Sequence, residues 1–146
     1  MSVCTFFGHH DCPAYVKPKL RAVIIDLIEN CGVDCFYVGN HGVFDAMAFS
    51  VLRQLTKIYP HISYSVVLAY MPKKGNGFDI YDSYETLLPV GIENAPKRFA
   101  IDWRNRWMVA QADYVVTYIT HSWGGAAKYA KLAKNKNKTE INLGQI

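Results

Sequence analysis

Apolar residues are distributed along this chain in two alternating patterns, short unbroken runs and longer stretches with helical spacing. Between residues 18 and 30, apolar side chains recur every three or four positions, which predicts a helix with one buried face. Pro18 fits the first turn of this helix, and Gly32 fits its end. The same spacing predicts further helices over residues 43–59, 100–112 and 125–134. Apolar runs predict strands over residues 2–7, 34–38, 62–70, 87–90, 114–119 and 140–143.

Strands that alternate with helices are typical of an α/β fold with a mostly parallel sheet and helices on both faces. The predicted elements therefore indicate a Rossmann-like fold. The composition of residues 72–79 predicts a loop, and residues 94–96 predict a turn. The chain has 146 residues and neither an internal repeat nor a low-complexity linker. A single domain over residues 1–146 is expected.

Composition and charge narrow the class of protein. Hydrophobic residues make up 51% of the chain and charged residues 19%, which excludes intrinsic disorder. The sequence has no run of about 20 apolar residues and no signal-peptide pattern at its start, so we expect a cytoplasmic protein with no membrane partner. The net charge of +4 suits an anionic small molecule but is too weak to indicate nucleic acid alone. The lysines between residues 128 and 138 are interpreted as a solvated helix face.

A cluster of potential metal ligands occurs near the N-terminus, where His9, His10, Asp11 and Cys12 are consecutive. A structural zinc site usually needs four ligands in two spaced pairs, and this chain offers only one cluster. Cys31 and Cys35 are separated by three residues, unlike the two of a redox or zinc pair. No metal and no cofactor is therefore predicted.

Glycines and polar residues follow three of the predicted strands, at the sheet edge where doubly wound folds bind ligands. Helix N-termini carry unpaired N–H groups, and glycine lets a phosphate come close to them. These loops predict two helix N-termini that bind phosphate and face one crevice. They resemble neither a Walker A loop nor the dinucleotide pattern, and a plain strand-to-helix turn is the alternative for each. The ligand-binding residues predicted from the loops are Gly8, His9, Gly39, Asn40, Gly42, Asp45, Ser122, Gly124 and Gly125.

Two arginines, Arg104 and Arg106, lie with Trp103 and Trp107 on the helix predicted before the strand at residues 114–119. An arginine at this place can pair with a phosphate or carboxylate through two parallel N–H groups. We assign this role to Arg104. Arg106 is interpreted as part of a solvated helix face.

Four stretches of the sequence resemble a known family. Residues 4–9, 104–109, 122–130 and 141–143 resemble, in the same order, motifs of the YpsA/YoqJ-like proteins. These belong to the SLOG superfamily, which also holds the LOG phosphoribohydrolases and DprA. The resemblance implies a Rossmann-like fold with a pocket for nucleotides or nucleotide-derived ligands. The residues on matching motif positions are Gly8, His9, Arg104, Asn105, Gly124 and Gly125.

The sequence departs from the family pattern at the positions that bear on chemistry. His10 replaces an arginine, Ala126 replaces a threonine, and Gly42 lies three residues before Asp45 instead of two. LOG enzymes carry a glutamate on the helix after their second glycine loop, whereas residues 124–139 here contain no Asp or Glu. Glycosidic cleavage usually needs a positioned carboxylate. Asp45 is the one plausible substitute near the crevice, so the catalytic candidates are Asp45 and Arg104.

The sequence thus predicts a domain that binds or senses a nucleotide or nucleotide-derived small molecule. The alternative is a LOG-like phosphoribohydrolase that cleaves the N-glycosidic bond of a nucleoside monophosphate. A third function, binding of single-stranded nucleic acid, is disfavoured because no basic and aromatic groove is evident. A homodimer is expected from the chain's three Trp, ten Tyr and seven Phe, because Tyr and Trp favour interfaces, and from analogy with the LOG enzymes.

Overall fold

The computed structural model describes residues 1–71 and 85–145. Within these residues, six strands, each parallel to its neighbours, form one sheet in the order β4-β3-β2-β1-β5-β6. The strands are β1 Val3–Gly8, β2 Cys35–Val38, β3 Ser63–Val67, β4 Thr86–Leu87, β5 Tyr114–Tyr118 and β6 Thr139–Asn142. The helices are α1 Val16–Asn30, α2 Val43–Ile58, α3 Ala100–Gln111 and α4 Gly125–Asn135. The predicted α/β fold with helices on both faces is confirmed.

The first helix shows how closely local sequence signals determine the elements. Helix α1 begins at Val16, so Pro18 is its third residue, where a backbone N–H has no partner inside the helix. At the other end, Gly32 has a φ of +69°, and the N–H groups of Cys31 and Val33 both donate to the Leu27 carbonyl. Glycine suits this left-handed position because it has no Cβ. The helix therefore ends where the sequence predicts.

Two hydrophobic cores lie on opposite faces of the sheet. Helices α1 and α2 cover one face, and α3 and α4 cover the other. The side chains of Phe6 and Phe7 in β1 point to opposite faces, as alternation along a strand requires. Phe6 stacks on Phe36 with ring centroids 6.2 Å apart, and Phe7 stacks on Tyr129 at 5.4 Å. The central strand is therefore buried on both sides.

The third and fourth strands differ most from prediction. The third strand is shorter than residues 62–70, since β3 ends at Val67. The fourth is Thr86–Leu87 and not 87–90, because the chain leaves the sheet before Val90, which is 89% exposed, and turns at Gly91 with a φ of +82°. The predicted turn at residues 94–96 joins two 3-10 helices, Ile92–Asn94 and Lys97–Phe99. The loop predicted over residues 72–79 lies outside the described residues.

The sheet order creates a switch point between β1 and β5. From β1 the chain moves to β2 on one side, whereas the neighbour on the other side is β5, paired from Cys4 with Tyr114 to Gly8 with Tyr118. Ligands of open α/β sheets bind outside the carboxyl ends of the strands at such a point. Among the described residues, no helix is both long and apolar enough to cross a membrane.

Candidate functional site

A cavity of about 530 Å³ lies at the switch point, a volume typical of small-molecule sites. Its walls come from the end of β1, the start of α2, the middle of α3 and the loop that joins β5 to α4. Four of the chain's five histidines line it: His9, His10, His41 and His121. Among the described residues, Arg104 is the one lysine or arginine in the lining, beside the carboxylates of Asp11 and Asp45.

Glycines with nearly the same backbone conformation begin helices α2 and α4. Gly42 has φ 94° and ψ 171°, and Gly124 has φ 96° and ψ 172°. This region is essentially restricted to glycine. Helix α2 carries Asp45 in its first turn, whereas α4 has no acidic residue there. A Cβ added at Gly125 would meet nothing within 4 Å, so the N-terminus of α4 is open toward the cavity.

Arg104 is buried in the wall of the cavity, with 2% of its surface exposed. Its Nη1 donates to Asn40 Oδ1 and to the Val67 carbonyl, both at 3.0 Å, and its Nε donates to Asn105 Oδ1 at 2.7 Å. Nη2 lies 3.3 Å from His41 Nδ1. A guanidinium has five N–H groups, so these bonds leave one on Nη2. A fork to phosphate would therefore require displacement of a protein partner.

The carboxylate of Asp45 lies close to this arginine. Burial raises the pKa of Asp45 to about 6, although the His41 backbone N–H, Arg104 and His10 oppose the shift. That N–H donates to Asp45 Oδ2 at 3.1 Å. Gly39 makes room for both side chains, because a Cβ there would lie 2.7 Å from Asp45 Oδ2 and 3.3 Å from Arg104 Cζ. Burial also lowers the pKa of Arg104, against the attraction of Asp45.

His9 ties the end of β1 to the β5–α4 loop. Its Nε2 accepts a hydrogen bond from the Thr120 N–H at 3.0 Å, which places the ring proton of neutral His9 on Nδ1. Burial lowers the pKa of His9, and the neighbouring His121 lowers it further, while Asp11 acts in the opposite direction. Partial burial and then the positive charge of Arg104 lower the pKa of His41. Both shifts favour neutral imidazoles.

Asp102 fastens α3 to α4 behind the cavity. Its carboxylate accepts hydrogen bonds from Arg106 Nε at 2.9 Å, from Lys128 Nζ at 3.1 Å and from the Tyr129 hydroxyl. Burial tends to raise the pKa of Asp102, but the three hydrogen bonds outweigh it and lower that pKa to about 2. Arg106 is exposed and engaged with Asp102, as expected for a residue on a solvated helix face.

The structure brings most of the predicted site residues together. Seven line the cavity: Gly8, His9, Asp45, Arg104, Asn105, Gly124 and Gly125. The others lie apart from that lining. Gly39 is buried behind Arg104, Asn40 reaches the cavity only through its bond to Arg104, and Gly42 and Ser122 are exposed. The loop before α2 therefore lines the cavity through His41 and not through its glycines.

Several lining residues were not predicted. His41 and His121 each follow a predicted strand by a few residues, so their position was a usable signal. Trp123 and Tyr129 also line the cavity, but an aromatic residue near a helix start has no distinctive pattern. Gly8 lines the cavity yet is required by packing, since a Cβ there would collide with the Phe44 ring. Over residues 1–71 and 85–145, no group of three or more His, Cys, Asp or Glu side chains is placed to hold a metal ion.

Comparisons with known proteins identify a fold neighbour. No protein-family model matches the chain, and no curated protein matches it. The chain is similar to the X-ray structure of DNA processing protein A (DprA) from Streptococcus pneumoniae, with a TM-score of 0.70 and 15% sequence identity. The match covers 97% of this chain and 50% of that chain, so this chain spans about half the length of its neighbour. The likeness establishes a DprA-like, Rossmann-like fold.

Proposed function

We propose that the cavity at the switch point binds a nucleotide or a nucleotide-derived ligand, with a phosphate at the N-terminus of α4. The observation that carries this proposal is the open start of that helix, where glycine begins the first turn and no side chain fills the space. Unpaired N–H groups and the helix dipole attract an anion at such a position. No acidic residue in the first turn of α4 competes with an external anion for these N–H groups.

Other lining residues have distinct roles in this proposal. Arg104 supplies a buried positive charge and one N–H group, and its bonds to Asn40 and Val67 hold it rigidly in place. Asp45 and His41 offer acceptors and donors that suit the hydroxyl groups of a ribose. Ser122 is exposed, and its predicted contact with phosphate stays a prediction.

The charge of the cavity favours a single nucleotide over a nucleic acid strand. A groove that follows a phosphate backbone is usually strongly basic. This lining combines one arginine with two carboxylates. The DprA neighbour is described as a DNA processing protein, so binding of single-stranded nucleic acid remains the competing outcome of the test below.

Calorimetric titration with nucleoside monophosphates tests the proposal. Gly125→Val places a branched side chain in the open space at the start of α4 without a strained φ, because Gly125 is not among the glycines with a positive φ. We expect it to weaken binding at least about tenfold, the loss of one charge-assisted hydrogen bond. Lys131→Val, at an exposed position of the same helix, controls for the helix propensity of valine. Equal affinity of the Gly125 variant and wild type would contradict the proposal.

One observation favours the hydrolase alternative. Asp45 lines the cavity beside Arg104, and its pKa near 6 places it within reach of both protonation states around neutral pH. Such a carboxyl can protonate a leaving base or activate water. Release of free base from a nucleoside monophosphate, abolished by Asp45→Asn, would establish this activity. Binding without base release would favour the binding or sensing function.

Two further expectations accompany the proposal. Membership of the YpsA/YoqJ-like proteins stays a prediction from the resemblance of short motifs. The homodimer also stays a prediction, and light scattering at micromolar concentration tests it. Tyr15, Phe99 and Trp103 are aromatic side chains exposed on the described surface, where an interface would bury them.

A further inference from the structure

Three aromatic rings form a continuous stack at the edge of the cavity. The rings of His9 and His121 lie 3.6 Å apart between centroids, with an angle of 12° between their planes. The rings of His121 and Trp123 follow at 3.9 Å and 18°. All three residues line the cavity. The stack therefore runs from the end of β1 to the residue that directly precedes Gly124.

The inner part of this stack is held firmly by the fold. His9 is buried, its Nε2 accepts the Thr120 N–H, and its backbone N–H donates to the Tyr118 carbonyl. His121 Nδ1 lies 2.9 Å from the carbonyl oxygen of Trp123, so the middle ring is also tied to the loop. The indole of Trp123 thus rests on a rigid support.

The outer part of the stack is open. Trp123 is 69% exposed, although indole is among the largest apolar side chains. One face of its ring is covered by His121, and the exposure leaves the opposite face available. A flat ring placed on that face would remove apolar surface from water on both partners.

We propose that the outer face of Trp123 is the stacking site for the base of the bound nucleotide. This inference rests on the proposed function, in which Gly124 and Gly125 face the phosphate. It assigns the base to the residue directly before them. Phosphate and base would then be held by consecutive residues of a single loop. Stacking of a base on an aromatic side chain tolerates any base, because every base has a flat π-face.

The size and charge of the cavity distinguish a free mononucleotide from an oligonucleotide as the source of the base. A free mononucleotide matches a cavity of about 530 Å³ with one arginine in its lining. An oligonucleotide would place further phosphates near Asp11 and Asp45, where they would be repelled. We therefore assign the site to a mononucleotide.

Trp103 provides a matched control for a partly exposed tryptophan. It is 39% exposed, and its ring lies beside Gly91, outside the lining of the cavity. Replacement of Trp103 by alanine removes the same side chain from the surface without change to the stack.

The experiment compares adenosine monophosphate with ribose 5-phosphate by calorimetry. These probes share sugar and phosphate and differ in the base. We expect wild type to bind adenosine monophosphate at least about tenfold more tightly than ribose 5-phosphate. Trp123→Ala should abolish that difference and leave ribose 5-phosphate binding unchanged. Trp123→Phe should keep most of the difference, and Trp103→Ala should keep all of it.

The outcomes separate this inference from the proposed function. If ribose 5-phosphate binds and the base adds nothing, or if Trp123→Ala weakens both probes equally, the stacking site is wrong while the phosphate site stands. If neither probe binds to wild type, both proposals fail. A thymidine tetranucleotide that binds more tightly than adenosine monophosphate, with a steep loss in salt, would overturn the assignment to a mononucleotide.

Discussion

The loops that precede α2 and α4 share a backbone conformation and differ in what occupies the space in front of the helix. Gly42 and Gly124 adopt φ values of 94° and 96° with ψ near 171° and 172°. In the first loop, the side chains of Asp45 and Arg104 pack against Gly39, three residues before the cap glycine, and Asp45 lies in the first turn of α2. In the second, the space beside Gly125 is open.

The contrast teaches that a glycine-capped helix start is a ligand site only where the fold leaves it free. Helix α2 carries its own carboxylate in the first turn, and that carboxylate accepts the His41 N–H. An external anion at this helix would therefore meet a carboxylate of the protein itself. Helix α4 has no such group, so an external anion is the expected partner.

The largest expected effect comes from removal of the Arg104 side chain, which packs against the loop before α2. Arg104→Ala removes the donors that satisfy Asn40 and the Val67 carbonyl and leaves a cavity in the wall. We expect a loss of about 3 kcal/mol in the free energy of unfolding, because buried polar groups lose their partners. Urea denaturation measures it. Arg106→Ala is the control, since its exposed ion pair with Asp102 is worth at most about 1 kcal/mol. Equal losses would show that Arg104 has no special structural role.

A pair of glycine substitutions tests the contrast directly. Gly39→Ala places a Cβ 2.7 Å from Asp45 Oδ2 and should cost about 2 kcal/mol of stability through overpacking. Gly125→Ala meets open space and should be neutral or slightly stabilising, because alanine favours helix. Thermal or urea unfolding of both variants gives the comparison. A destabilised Gly125→Ala would mean that the second loop is also filled.

The pH dependence of stability reports on the carboxylate in the filled loop. Because the folded-state pKa of Asp45 is raised to about 6, its contribution to stability is present at low pH and lost as pH rises through about 6. Asp45→Asn should therefore be more stable than wild type at about pH 8, by roughly 1–2 kcal/mol, with the gap closing toward about pH 4. Urea unfolding across this range measures the gap. Asp26→Asn, at an exposed position, is the matched control for the change from carboxylate to amide.

The smallest effect concerns the support behind the open loop. Asp102→Asn weakens the bonds from Arg106, Lys128 and Tyr129 that join α3 to α4. We expect a loss of about 1 kcal/mol near neutral pH, because the carboxylate is partly exposed. Its lowered pKa, about 2, means that this contribution is present above the unfolded-state pKa and lost as pH falls through about 2. An unchanged unfolding midpoint near neutral pH would contradict this expectation.

Much of the fold could be predicted from local patterns. The C-terminal end of α1 follows from Gly32, whereas α1 begins two residues before the predicted start at Pro18. The alternation of strands and helices is enough to indicate a parallel sheet. The bounds of β3 and β4 were less predictable. Apolar residues such as Leu68 continue the pattern beyond the strand, and only sheet pairing decides where a strand ends.

The site was predictable in part for a related reason. Glycine and histidine after a predicted strand can be read directly from the sequence. The carboxyl ends of parallel strands meet at one edge of the sheet, so these residues are expected to lie close together. The stack of His9, His121 and Trp123 was not visible, because it depends on a loop that folds back across the sheet. The hydrogen bond that sets it joins residues 111 positions apart.

By itself the sequence determined the elements, their order and the loops that reach the ligand edge, because periodicity, proline and glycine act within a few residues. Only the tertiary structure decided which loop is filled and which is open. Arg104 finds acceptors 37 and 64 positions away, in Val67 and Asn40, and no local pattern shows that these groups will satisfy it. Packing across the sheet places Arg104 against the loop before α2 and leaves the space beside Gly125 open.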